Sequence, residues 1–305
     1  MVEGTIVVGV LARDCVNSLL RNIPRVEQLG SLFTDYKVVV YENDSQDGTT
    51  ELVQRWSAEN PNVTAICETI LQKTIPGKSG DCPYPAKSVS RISKMVGFRN
   101  RVLDEVRAKY SPDYFMFIDI DIESFDPVSV VESIRKAPAD WGALFANGHV
   151  YFANKDGGDT PSSFQYDAYA FLPAGVDFRK TGDWVISKHF HDITAYTFDE
   201  KLSEVPFLPC SSAFNGMGIY RWQAIDGLQY SVEQTGELKR ANACFCEHVP
   251  FNDAVRQRGF GLYVSREMEV VYFHKKETIV RRFTRWRQRL FVKFLLRFFG
   301  PYPVG

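Results

Sequence analysis

Two rhythms of apolar and polar positions alternate along the first part of the chain. Residues 5–11 (TIVVGVL) and 36–41 (YKVVVY) are short runs rich in β-branched side chains and bounded by polar or turn-forming residues, which predicts buried parallel strands. Between them, residues 16–32 have helical spacing interrupted by Pro24, and 49–59 repeat that spacing after Asp47-Gly48. A third strand is predicted at 63–67 and a long helix over 88–110, which leads into the apolar run 115–122. Strands alternating with helices imply a doubly wound α/β sheet. The stretch 72–87, with its glycines, prolines and lysines, reads as a mobile surface loop. Beyond Pro127 the pattern weakens. It still predicts a helix at 128–136, a strand at 141–151, a polar glycine-rich stretch at 154–164, a strand and tight turn within 207–220, a helix at 247–258 and a last strand at 269–273.

Chemistry concentrates where the run 115–122 ends, because FMFIDIDI closes an apolar strand with Asp119 and Asp121, one residue apart. Buried carboxylates are unfavourable unless a positive group meets them, and a divalent cation carrying a phosphorylated ligand is a natural partner at the C-terminal end of a strand. Oxygen ligands of this kind suit Mn²⁺ or Mg²⁺, which would neutralise a departing diphosphate as a Lewis acid. The bland alternative is a pair of turn or capping aspartates. The segment ENDSQDGT, residues 42–49, follows the second strand and opens a helix, where side chains of an open α/β sheet meet ligands. Capping suits Asp47, whereas reading a base and ribose suits Glu42 and Asp44.

Together, ENDSQDGT, the helical segment Gly97-Phe98-Arg99-Asn100-Arg101 and the IDID run resemble nucleotide-sugar glycosyltransferases of the GT-A fold. That resemblance implies a Rossmann-like mixed sheet flanked by helices. It places Ala12, Arg13, Glu42 and Asp44 at the nucleotide, Arg99 at the diphosphate, and Asp119 and Asp121 on Mn²⁺, with Asp119 also near the nucleotide. FRNRVLDEV after Arg91-Ile92, the FQYDAYA run at 164–170 and CSSAFNGM at 210–217 are similar to the fungal capsule-associated α-1,3-mannosyltransferase family. The resemblance to the GT-A fold implies a donor-sugar or acceptor role for Asn215 and Gly216, and for His248 further along, although the Asn-Gly pair could equally be only a turn with positive φ. The resemblance to GT-A enzymes also implies that His274, after the last strand, is a third metal ligand; a polar strand terminator is the plain alternative. Glu247 and His248 open a predicted helix, where the carboxylate could cap the helix, grip sugar hydroxyls or act as general base. Stereochemistry stays open. An inverting reaction needs a base, for which Glu247 and Asp167 are candidates, while the family likeness points to a retaining α-mannosyltransferase.

The chain has 305 residues, 45% hydrophobic and 24% charged, enough for one large domain. We divide it into a nucleotide-sugar-binding half at 1–125, an acceptor-binding half at 126–275 and a basic segment at 276–305. Residues 275–297 hold nine basic side chains and a single acidic one, interleaved with Phe283, Trp286, Leu290, Phe291 and Phe294 at helical spacing. Such an amphipathic helix suits contact with an anionic membrane surface or packing against the domain. A formal net charge of −1 and the absence of a basic face elsewhere argue against nucleic acid as a partner. No stretch approaches the roughly 20 apolar residues of a membrane span, Met1–Gly4 lacks the marks of a secretory signal, and six unpatterned cysteines suit reduced thiols. The expectation is therefore a cytoplasmic, peripheral transferase moving a sugar from a nucleoside diphosphate donor to a glycan or lipid-linked acceptor. A nucleotidyltransferase acting on sugar phosphates and an inactive glycan-binding scaffold are the alternatives.

Overall fold

The computed structural model describes residues 1–70, 82–153, 162–187 and 190–276, together with Leu290 and Phe294. Strand β1 (Val2–Ala12), helix α1 (Val16–Ser31), β2 (Phe33–Asn43), α2 (Thr49–Glu59) and β3 (Val63–Glu68) make two successive crossovers, and α3 (Val89–Lys109) leads into β4 (Tyr114–Asp119). There follow β5 (Ser124–Phe125), α4 (Pro127–Lys136), β6 (Trp141–Ala153), β7 (Ser162–Gln165), β8 (Leu172–Pro173), α5 (Phe190–Glu204), β9 (Phe207–Ser212), β10 (Met217–Arg221), α6 (His248–Gln257) and β11 (Gly261–Lys276). The strands lie in the order β3-β2-β1-β4-β10-β6-β11-β9-β8, with β5 on β11 and β7 on β6. β1 to β4 are mutually parallel, and β10 runs antiparallel between β4 and β6. The parallel part is the doubly wound α/β sheet that the alternating pattern predicts, and the whole is the mixed sheet flanked by helices that the GT-A resemblance implies.

Period-two alternation explains why both faces are covered. Val8, Val10, Val38, Val40, Met116 and Ile118 pack with Leu19, Val26 and Leu29 of α1 and Leu52, Val53 and Trp56 of α2. Their neighbours Val7, Val39, Phe115 and Phe117 point the other way, onto Val102, Leu103 and Val106 of α3. Each fully buried aliphatic side chain of this kind contributes about 1.5–3 kcal/mol of transfer free energy. Because α1 and α2 cover one face and α3 the other, the winding reverses between β1 and β4. Strand ends splay there and open a crevice.

Three expectations change. Helix α1 runs unbroken through Pro24, since Leu19, Asn22, Val26 and Leu29 anchor its inner face, while Leu20, whose carbonyl loses the bond to residue 24, is half exposed. The region 207–220 holds two strands, β9 and the start of β10, on either side of the Asn215-Gly216 turn. Helix α5 and the short strands β7 and β8 went unanticipated. Most of the loop at 72–87 and of the polar stretch at 154–164 lies outside the described residues, as does the C-terminal amphipathic segment apart from Leu290, Phe294 and its first residues Lys275 and Lys276, whose backbone ends strand β11 rather than starting a helix. Among the described residues no helix is long and apolar enough to cross a membrane.

Candidate functional site

At the reversal point a cavity of about 830 Å³ opens over the ends of β1 and β4. Register places Leu11 of β1 opposite Asp119, the last residue of β4. Asp119 is held at its backbone by a 2.9 Å hydrogen bond from its N–H to the Gly216 carbonyl. The turn that presents Asp121 is pinned from behind by Asn22 of α1, fully buried, whose amide donates to the carbonyls of Ile120 (3.1 Å) and Ile122 (2.8 Å). Both carboxyls are raised above the ordinary range. For Asp119 the causes are burial, then the charge of Asp121, against the pull of Arg99. For Asp121 burial outweighs a 3.1 Å hydrogen bond donated by the Tyr272 hydroxyl to Oδ2. Asp119 still keeps 24% of its side chain exposed, so the two acids line the cavity rather than lie inside the core.

Arg99 of α3 is buried under the rings of Phe117, Phe214 and Tyr230, with its guanidinium carbon 4.9, 4.9 and 5.7 Å from their centroids. Its Nε donates to Glu247 Oε1 at 3.1 Å, and Nη2 lies 3.9 Å from Asp119 Oδ1. Burial works against its charge but is outweighed by Glu247, Tyr230 and Asp119, so its pKa is raised. Glu247 occupies the N-cap position of α6 yet makes no capping hydrogen bond, because its carboxylate reaches Arg99 instead. His248 stacks on Phe214 at 4.0 Å, and neither ring nitrogen has a hydrogen-bond partner. Burial and then Arg99 hold its pKa well down, so it is neutral and its 3.8 Å approach to Glu247 is no ion pair. Asp167 follows β7, and its carboxyl is pushed up to about 6 by burial and the charge of Glu247, against the Ala170 N–H and Arg99.

Of the residues singled out from sequence, Ala12, Arg13, Arg99, Asp119, Asp121, Asp167, Glu247 and His248 line this cavity. Glu42, Asp44, Asn215 and Gly216 do not. Glu42 is buried and accepts from the Ser45 N–H at 3.0 Å, and Asp44, at φ 51°, accepts from the Ile70 N–H at 3.0 Å, so both shape the turn after β2. Asp47 accepts from Thr49 at the start of α2 and from Val16 at the start of α1, a capping role for two helices. Asn215 donates to the Ala146 carbonyl at 2.7 Å and accepts from Gln165 at 3.0 Å, both inside the fold. The positive φ at Asn215 (56°) and Gly216 (86°) makes the turn that supports Asp119, and Gly148 is required opposite it, since a Cβ there would lie 2.2 Å from the Asn215 carbonyl oxygen. The backbone of His274 pairs with Tyr151 in the β11–β6 ladder, and its side chain lies outside the described residues.

Sequence reasoning missed several cavity residues. Ser88, Arg91, Lys94, Met95 and Phe98 form one stripe of α3 and its cap, three and four residues apart, and lead to Arg99. Arg91 and Lys94 therefore add positive charge to the cavity that the acids line. Asn43, beside the expected Glu42, also lines the cavity, as do Tyr166 and Tyr272, whose rings stack at 3.4 Å between centroids. Among the described residues no three His, Cys, Asp or Glu cluster as a metal-binding set. What Asp119 and Asp121 supply is a pair of mutually repelling carboxylates, a donor set that fits a hard cation whose other positions are filled by phosphate oxygens and water.

No protein-family model matches the chain, and no curated protein matches it in sequence. Solved structures do match in shape. A Pyrobaculum calidifontis mannosyltransferase in complex with GDP-Man and Mn²⁺ superposes with TM-score 0.47 at 11% identity, over 95% of this chain and 61% of that one. Residues 1–349 of S. aureus TarS match with TM-score 0.42 at 13% identity over 89% and 60%, and GalNAc-T7 with UDP, GalNAc and Mn²⁺ with TM-score 0.45 at 12% over 90% and 44%. The chain thus spans 44 to 61% of the length of these solved chains.

Proposed function

We propose that this protein is a metal-dependent glycosyltransferase that moves a sugar from a nucleoside diphosphate donor to a glycan or lipid-linked acceptor. The observation that carries this reading is the pair Asp119 and Asp121, both raised by burial and Asp119 also by the charge of Asp121, in a cavity that Arg91 and Lys94 line as well. Carboxylates so placed call for a cation, and the basic side chains call for an anion; a metal diphosphate satisfies both. The bound Mn²⁺ or Mg²⁺ would be held by Asp119 and Asp121 and would supply Lewis-acid stabilisation of the leaving diphosphate. Arg99, already paired with Glu247, serves to fix that carboxylate and to temper the charge of Asp119. Asp167, with a carboxyl near pH 6, is suited to hold or accept a proton from an acceptor hydroxyl.

Mannose as the donor sugar and retention at the anomeric carbon rest on the family likeness of the FQYDAYA and CSSAFNGM segments. The basic aromatic run 275–297 supports a peripheral contact with an anionic cytosolic membrane face. Thermal-shift measurements with UDP, GDP, CMP and dTDP sugars in the presence of Mn²⁺ test the central claim, because a ligand bound only by the folded state raises its stability. One donor should stabilise the protein in a Mn²⁺-dependent way and be hydrolysed slowly. Equal transfer by an Asp119→Asn, Asp121→Asn chain in chelator-treated buffer overturns the proposal.

A further inference from the structure

Resting on that reading, we propose that Tyr272 is a positioning residue that sets the orientation of the Asp121 carboxylate for its cation. The Tyr272 hydroxyl, on β11, donates to Asp121 Oδ2 at 3.1 Å, and in the sheet β10 and β6 separate β11 from β4, the strand that Asp121 follows. The backbone of the acidic turn does not need that bond. It is held by Asn22 at the carbonyls of Ile120 and Ile122, and by the Glu123 N–H donating to the carbonyls of Val271 (2.8 Å) and Tyr272 (3.1 Å). What these four bonds leave free is rotation of the Asp121 side chain, and the hydroxyl is the group placed to stop it.

The ring that carries the hydroxyl is itself fixed. It stacks on Tyr166 with an interplanar angle of 14°, and Tyr166 immediately precedes Asp167. Tyr272 therefore ties the turn after β4 to the segment after β7, and orients Asp121 relative to the second acid of the cavity. Hydrogen bonds of this outer kind fix ligand direction, and their loss typically weakens metal binding about 10- to 100-fold.

Tyr272→Phe removes the hydroxyl while keeping the stacked ring. Mn²⁺ affinity, read from the free-ion signal in electron paramagnetic resonance, should fall about tenfold or more, with the metal-free melting temperature unchanged. Tyr272→Phe binding Mn²⁺ within twofold of the wild type overturns the inference while leaving the glycosyltransferase reading intact. A wild-type protein that binds no Mn²⁺, with or without a nucleoside diphosphate, overturns both. A fall in affinity accompanied by an equal fall for Zn²⁺ or Ca²⁺ still supports a positioning role, since the carboxylate rather than the metal's identity is what Tyr272 touches.

Discussion

Replacing Glu247 by glutamine tests the electrostatic centre of the molecule most directly. The substitution keeps the shape and one acceptor oxygen but removes the charge that meets Arg99, whose side chain is 4% exposed, as against 5% for Glu247. Leaving one member of a buried ion pair without its partner typically costs about 3–5 kcal/mol. Here Asp119, 3.9 Å from the guanidinium, still supplies opposite charge. Three aromatic faces add cation–π attraction of about 0.5–2 kcal/mol each, already present in the wild type and so unaffected by the change. The expected loss on Glu247→Gln is therefore about 2–3 kcal/mol, below the full range because of Asp119. Urea denaturation at pH 7 measures it from the shift in midpoint at constant slope. Pairing the change with Arg99→Met should recover part of the loss, because the two neutral side chains leave no stranded charge. A single-substitution loss under about 1 kcal/mol, or a double substitution as unstable as the sum of its parts, refutes the idea that Glu247 neutralises Arg99.

Asn22→Ala should cost about 2–4 kcal/mol, since it leaves the Ile120 and Ile122 carbonyls without their buried donor, and should weaken Mn²⁺ binding as well; denaturation and metal titration check both. Asp121→Asn should abolish metal-dependent donor binding yet raise the melting temperature at pH 7, because it removes a repulsion that raises the Asp119 carboxyl; a lower melting temperature contradicts the assigned strain. For Asp167, a folded-state value of about 6 against an ordinary 3.8 means that the folded protein binds a proton the unfolded chain releases. Its contribution to stability is therefore fully present below about pH 4 and lost as pH rises through 6, so the unfolding free energy of wild type relative to Asp167→Asn should fall across that window. A difference that is flat from pH 4 to 6.5 rejects the raised carboxyl.

Much of this architecture was legible because buried parallel strands read as nearly continuous β-branched runs, as at Val38, Val39 and Val40, which need no information from elsewhere in the chain. The position of Asp119 and Asp121 followed for the same reason: a polar pair ending an apolar run must lie at the rim of the sheet. Residues whose roles depend on distant partners were less accessible. Nothing local to Tyr272 shows that it meets Tyr166 and Asp121, and nothing local to Glu247, expected as a helix cap, a sugar contact or a general base, shows its contact with Arg99, which arises only when α3 and α6 pack together. Glu42 and Asp44, expected at the nucleotide from their place after β2, also accept backbone N–H groups of the turn there, a local demand that the sequence expectation left out. Two signals were present and overlooked: Asn22 is a polar residue on the inner, apolar stripe of α1, and Ser88, Arg91 and Lys94 share the helical face that ends in Arg99.

The bond from the Asp119 amide to the Gly216 carbonyl has a consequence for how the molecule comes into being. During synthesis, β1 to β4 emerge long before β10, so a nascent chain holding the first half of the sheet carries the acidic turn without the strand that braces it. The proposed cation site is therefore braced only once β10 has joined the sheet beside β4.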